Sequence, residues 1–105
     1  MTHTITILFP NEADANYNIG YYISHHMPLC EQQWKKYGLQ SWTVTRFAPA
    51  LDGSQPPYTF SCNIVWDNEA GIKEALESEE APAVMEDVPR FSNKQPMFLF
   101  GATLA

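Results

Sequence analysis

Tyr58-Thr59-Phe60-Ser61-Cys62-Asn63-Ile64-Val65-Trp66 is the stretch on which the fold turns. Tyr58, Phe60, Cys62, Ile64 and Trp66 fall on one side of an extended chain, and Thr59, Ser61, Asn63 and Val65 on the other. Side chains alternate along a strand, so this pattern predicts a strand with one face against a core. Before it, Gly53 and Pro56-Pro57 break the chain, and residues 41–48 alternate again, with Trp42 and Val44 opposite Thr43, Thr45 and Phe47. Further out, Ile5, Ile7 and Phe9 share one face of a strand over 4–9 that Pro10 ends. Downstream, Met97-Phe98-Leu99-Phe100 follow one another near 96–101, which predicts a last strand buried on both faces.

Between these strands the period changes. Over 18–37 the apolar or aromatic side chains Ile19, Tyr22, Ile23, Cys30, Trp34 and Tyr37 form a stripe with the 3.6-residue repeat of a helix. Tyr21, Ser24, His25, Glu31, Gln32, Lys35 and Lys36 lie opposite, and Gly38 is a natural stop. Pro28 cannot donate to the Ser24 carbonyl, so the helix should kink or restart there. A second helix follows Asp67 or Asn68, either a good N-cap, and runs to about Ser78 with Ile72, Ala75 and Leu76 inward; a short turn or helix covers 82–87.

The order is β-α-β-β-α-β, an α+β ferredoxin-like unit: a four-stranded antiparallel sheet with both helices on one face. The other face carries Phe47, Val65 and half of the 97–100 run, too apolar to be left in water. A second copy is the simplest cover, so the expected partner is another copy of the chain, in a homodimer with sheet packed on sheet.

Composition agrees with a single domain over 1–105. The chain is 45% hydrophobic, 13% aromatic and only 17% charged, enough apolar material for a core. Twelve acids against six bases give a net charge of −6, which argues against nucleic acid as a partner. No apolar run approaches the roughly 20 residues of a membrane span. The opening Met1-Thr2-His3-Thr4-Ile5-Thr6 has no basic segment leading into an apolar one, and Cys30 and Cys62 make no disulfide framework, so a cytoplasmic protein is expected. Eight of the acids lie between Asp67 and Asp87, read as a solvated helix face or as a docking surface.

His26 is the most informative residue, near the middle of the first helix's apolar stripe with Tyr22 one turn before it and Cys30 one turn after. An inward imidazole beside a phenol suits proton transfer near neutral pH; equally, it can be a neutral core residue bonded to Tyr22 or to a backbone carbonyl. His25 and His3 read as surface residues. His26 and Cys30 have ligand spacing, but Cys62 has no second ligand nearby and no zinc motif is present, so no metal is expected. The density of aromatics, Trp34, Trp42, Trp66, Tyr22, Tyr58 and Phe60, reads as core and interface or as the lining of a pocket for a flat, greasy molecule. Trp42, Phe60, Cys30 and Phe91 are the candidate ligand contacts. In Asp87-Val88-Pro89-Arg90-Phe91, Asp87 is open to capping a turn or to orienting a histidine.

Tyr21-Tyr22-Ile23-Ser24-His25-His26-Met27-Pro28-Leu29 and Asp87-Val88-Pro89-Arg90-Phe91, in that order and spacing, resemble the EthD family of the dimeric α/β-barrel superfamily. Val44-Thr45-Arg46 and Tyr58-Thr59-Phe60 fall where that family has its second and third strands. The resemblance implies a ferredoxin-like fold dimerised into a barrel, with His26 as the family histidine and Tyr22 and Asp87 as accompanying catalytic candidates. It fixes fold far better than reaction. Founding members are associated with degradation of ethyl tert-butyl ether, and wider relatives include cofactor-free monooxygenases, isomerases and cyclases. The expected function is therefore a small-molecule protein with a hydrophobic cleft. It would carry out a cofactor-free proton transfer or an auxiliary catabolic step on an ether, aromatic or polyketide-like compound. The alternatives are a non-catalytic dimeric module serving a partner oxygenase, and a protein holding haem through His26.

Overall fold

The computed structural model describes residues 2–105. Strand β1 (His3–Pro10) is followed by a continuous helical stretch over 19–37. Within that stretch lie α1 (Ile19–Tyr21), a π-helical turn (Tyr22–His26), α2 (Met27–Trp34) and a 3₁₀ turn (Lys35–Tyr37). Then come β2 (Leu39–Arg46), β3 (Tyr58–Trp66), α3 (Glu69–Leu76), α4 (Ala81–Glu86), a 3₁₀ turn (Val88–Arg90) and β4 (Met97–Ala102). The sheet runs β2-β3-β1-β4 with every pair antiparallel, the ferredoxin-like order expected from the sequence. Among the described residues no helix is long and apolar enough to cross a membrane.

The long helical stretch owes its shape to three residues. Asn18 caps it, its side chain accepting from the Tyr21 N–H at 3.0 Å. Pro28 stands directly after a wide turn in which Met27 N–H donates to the Tyr22 carbonyl, so its missing N–H falls where the helical hydrogen-bond pattern changes. Gly38 ends it in the left-handed region at φ 105°, a conformation that side chains disfavour. The wide turn rotates the expected stripe: Tyr22, His26 and Met27 face the core, while Ile23, expected inward, is exposed.

On the sheet, Ile5, Ile7 and Phe9 of β1 and Phe60, Cys62, Ile64 and Trp66 of β3 are all buried beneath the helices. Pairing carries this face outward to Trp42 and Val44 on β2 and to Phe98 and Phe100 on β4. Tyr58 departs from the expected alternation. A register shift between Phe9 and Pro10 sets Tyr58 opposite Pro10, on the other face, where its hydroxyl lies 3.8 Å from Met97 Sδ. That other face also carries Leu8, Val65 and Leu99, together with Thr6 bonded to Asn63 at 3.0 Å.

The expectation that β4 is buried on both faces is not met. Met97, Phe98, Leu99 and Phe100 are 44–59% exposed in the single chain. The reason is position: β4 is an edge strand paired only with β1, and the helices pack over the middle of the sheet. Leu76, expected inward on α3, is likewise partly exposed near this edge.

Candidate functional site

The site is assembled where two distant segments are stitched together. Tyr17 bridges to Ser92, and Asn18 N–H donates to the Phe91 carbonyl at 2.8 Å. Asn93 reinforces the join, its Oδ1 accepting from Asn16 N–H at 2.7 Å and its Nδ2 donating to the Asp14 carbonyl at 2.9 Å. Lys94 pairs with Asp14 at 2.7 Å and with Glu12 at 3.3 Å. These contacts hold the 87–91 segment against the start of the long helix, so Asp87 arrives beside the wide turn that carries His26.

His26 is 5% exposed. Its Nδ1 lies 3.0 Å from Asp87 Oδ2, and the Tyr21 hydroxyl donates to Asp87 Oδ1 at 2.6 Å. Arg90 Nε stands 3.6 Å from the same carboxylate. An ionised carboxylate can only accept, so Nδ1 carries the imidazole proton and Nε2 keeps its lone pair. Burial pulls the His26 pKa below its ordinary value, and the Asp87 hydrogen bond and charge offset only part of that. For Asp87, burial raises the pKa, but Tyr21, His26 and Arg90 together hold it below the usual carboxylate range. Near neutral pH the pair is therefore a neutral imidazole held by an anion.

The imidazole sits between aromatics, with the Tyr22 ring stacked at 5.3 Å and the Phe91 ring tilted at 4.5 Å. Tyr22 gives His26 no hydrogen bond. The sequence offered Tyr22 or a backbone carbonyl as the partner of a core imidazole, and Asp87 as a residue that could orient a histidine; the partner is Asp87. The Tyr22 phenol is 1% exposed, and burial, with the Cys62 thiol beside it, pushes its pKa far up. It is a wall for the imidazole, neutral at any physiological pH.

His26 lines a cavity of about 300 Å³ between the helices and the β1–β4 side of the sheet. Met27, Cys30, Trp34, Phe91, Phe98 and Phe100 are among the side chains of its apolar wall. Of the four candidate ligand contacts, Cys30 and Phe91 line this cavity, whereas Trp42 and Phe60 do not. Trp42 belongs to β2, the edge farthest from β4, and Phe60 is sealed under the helix with its ring stacked on Phe9 at 4.1 Å. Cys30 is a buried thiol pushed up to about 12 by its surroundings. Among the described residues no three His, Cys, Asp or Glu side chains cluster as metal ligands do. Of the acids between Asp67 and Asp87, Glu80 pairs with Lys36 and accepts from the Tyr37 hydroxyl, and Asp87 is turned inward.

Tyr21 is the residue that sequence reasoning missed. The 3.6-residue count placed it on the polar side of the helix, and nothing local shows that a carboxylate 66 residues later arrives there. The one available signal was the Tyr21-Tyr22 doublet standing ahead of His26.

The family described as EthD domain matches residues 11–95. No curated protein matches the sequence. Among solved structures, an EthD-like protein from Ralstonia eutropha JMP134 superposes with a TM-score of 0.86 at 17% identity, over 95% of this chain and 89% of that one. An ethyl tert-butyl ether degradation (EthD) family protein from Bacillus halodurans C-125 gives 0.75 at 19% identity, over 99% and 100%. SnoaB, a cofactor-independent oxygenase from Streptomyces nogalater, gives 0.63 at 8% identity, over 99% and 93%. At these identities the three establish a shared fold and nothing finer.

Proposed function

The chain belongs to the EthD family, and from that premise we propose that it is a small-molecule protein in which His26 Nε2 removes a proton from a compact hydrophobic substrate. The observation that supports this most directly is a neutral imidazole on the wall of an apolar cavity, with its other nitrogen committed to a buried carboxylate. Nε2 has no hydrogen-bond partner among the described residues.

The chemistry follows from that arrangement. A substrate with a weakly acidic O–H or C–H enters from the β4 side and presents that hydrogen to Nε2. The base takes the proton and becomes an imidazolium, and the electron pair stays on the substrate as an enolate or phenolate. Asp87 stabilises the new positive charge through Nδ1–H, while Tyr21 keeps the carboxylate anionic and aimed. The dry wall excludes water from the anion. Tyr22 and Phe91 fix the plane of the ring. No cofactor is needed for this step, and the same anion is a starting point for isomerisation, cyclisation or reaction with oxygen. The working unit in this reading is a homodimer, two sheets meeting through Leu8, Val65, Met97 and Leu99, with the half-exposed Phe47 at the rim.

2-Tetralone, a flat bicyclic carbon acid, tests the proposal. In D₂O the protein should accelerate deuterium incorporation next to the carbonyl, followed by proton NMR. His26→Ala should lower that rate by about a hundredfold or more, the usual worth of a positioned base. The rate should rise with pH through a midpoint below about 6.5, because burial depresses the His26 pKa. Exchange no faster than with free imidazole, or a fully active His26→Ala, would refute it.

A further inference from the structure

The chain has two arginines, Arg46 and Arg90, and both line one open cleft of about 510 Å³ that shares Phe91 with the cavity but not His26. They come from distant elements. Arg46 ends β2 and is paired with Phe60, so its side chain leaves the sheet on the helix-covered face. Arg90 lies in the 3₁₀ turn that follows α4. Between them the cleft is walled by Asn16, Asn18, Ser92 and Asn93, which belong to the junction that ties 87–91 to the start of the helix.

The charge in this cleft runs against that of the chain. Twelve acids stand against six bases overall, yet no Asp or Glu lines it. Lys36 and Lys94 are paired with acids, whereas Arg46 makes no ion pair among the described residues. Glu12, which borders a neighbouring groove with Arg46, is bound to Lys94 at 3.3 Å. Arg90 approaches Asp87 only through Nε at 3.6 Å, beyond hydrogen-bond length, and its side chain is 72% exposed. Two guanidiniums therefore stand at one cleft with their donors free, and each is a planar fork that fits two oxygens of an anion.

We propose that the cleft binds a phosphate group, free or carried on a small molecule, between Arg46 and Arg90. Two positive charges match a group that carries nearly two negative charges near neutral pH better than they match a carboxylate. The junction's hydrogen bonds hold the walls in place before the ligand arrives, so little ordering opposes binding. The site is independent of the His26 reading, since His26 does not line this cleft.

Two arginines give two Arg Nε–H resonances in ¹⁵N-labelled protein, and Arg46→Gln assigns both. Titration with inorganic phosphate at pH 7.5, with ionic strength held by sodium chloride, should move both along one saturating curve. Acetate should bind about tenfold more weakly. Arg46→Gln, an exposed change at a strand end, should weaken phosphate binding about tenfold, as loss of a charge-assisted contact does, while Lys73→Gln on α3 leaves it unchanged. Phenyl phosphate separates the sources: binding tighter than that of inorganic phosphate marks an ester as the ligand, and weaker binding marks the free ion. Resonances that drift without saturating, an equal response to chloride, or a phosphate affinity that survives Arg46→Gln would overturn the site and leave His26 standing.

Discussion

Replacing Asp87 with asparagine should loosen the site and the fold together. The Asp87 side chain is 12% exposed and holds two donors, His26 Nδ1 at 3.0 Å and the Tyr21 hydroxyl at 2.6 Å. Hydrogen bonds to a charged acceptor contribute about 1.5–3 kcal/mol each, and those to a neutral one about 0.5–1.5. Asparagine keeps one acceptor oxygen for the two donors, so one bond becomes the neutral kind and the other survives only if the amide NH₂ donates to the Tyr21 hydroxyl oxygen, a loss of about 2 kcal/mol. For a chain of 105 residues that corresponds to a fall of about 9 °C in Tm near pH 7.5. The deficit should widen in acid. His26 has a folded-state pKa below its ordinary value, so its contribution is complete above about pH 6.5 and is lost as pH falls towards the folded value. A neutral amide in place of the carboxylate cannot support an imidazolium, which lowers the folded pKa further and enlarges that loss. Asp87, itself depressed, gives up its contribution only as pH falls below about 4. Thermal melts of both proteins between pH 7.5 and 5, with His26 titrated by NMR, carry the test. Equal melting temperatures, or an unchanged His26 titration in the variant, would mean that the carboxylate does not anchor the ring.

Three further outcomes are expected. Gly71→Ala should destabilise the protein by about 2 kcal/mol in urea melts, although alanine is the better helix former by about 1 kcal/mol, because the new Cβ would stand 1.9 Å from the Tyr37 carbonyl oxygen; a more stable variant would show that α3 can shift away. Burial pushes the Cys30 and Cys62 thiols up to about 12 and about 11, so Ellman's reagent at pH 8 should find no reactive thiol until denaturant is added, and a rapid native reaction would contradict the packing. Leu99→Lys, on the face paired with Thr6, should yield a monomer by sedimentation where the wild type sediments as a dimer, and a wild type that is itself monomeric disposes of the sheet-to-sheet pairing.

What could be read in the sequence was whatever depends on short-range periodicity. The alternation of 60–66, the helix stop at Gly38, the Asn68 cap and the inward aim of His26 all follow from spacing, and each is in the structure. What could not be read depends on where distant segments meet. The exposure of β4 is a consequence of its place at the sheet edge, and Met97-Phe98-Leu99-Phe100 would be equally apolar at the centre. Tyr58 changes face because one register shift at Pro10 inverts the parity of a strand end. The same limit applies to the ligand contacts. Trp42 and Phe60 have the chemistry of a pocket wall, but Trp42 is on the edge strand farthest from β4 and Phe60 is sealed behind Phe9, so Cys30 and Phe91 line the cavity and they do not.

The difference between a packed histidine and a working one lies in what its two nitrogens face. A core imidazole satisfied at both ends has nothing to offer, and burial alone only makes it harder to charge. Here one nitrogen is held by a carboxylate that two hydrogen bonds and the Arg90 charge keep anionic, which makes protonation of the other less costly, and that other nitrogen belongs to a ring on the cavity wall. The carboxylate reaches it because Asn16, Asn18 and Asn93 tie the 87–91 segment to the start of the helix. The helix can present Tyr21 to the far side of that carboxylate and His26 to the near side because its turn at 22–26 is wider than an α-helical one. Pro28 fixes where that wide turn must close. The Tyr-Tyr, His-x-Pro and Asp-Val-Pro elements are therefore parts of one device. Tyr21 and Asp87 set the electrostatics and Pro28 sets the helix geometry, so substitution of any of them should act on His26.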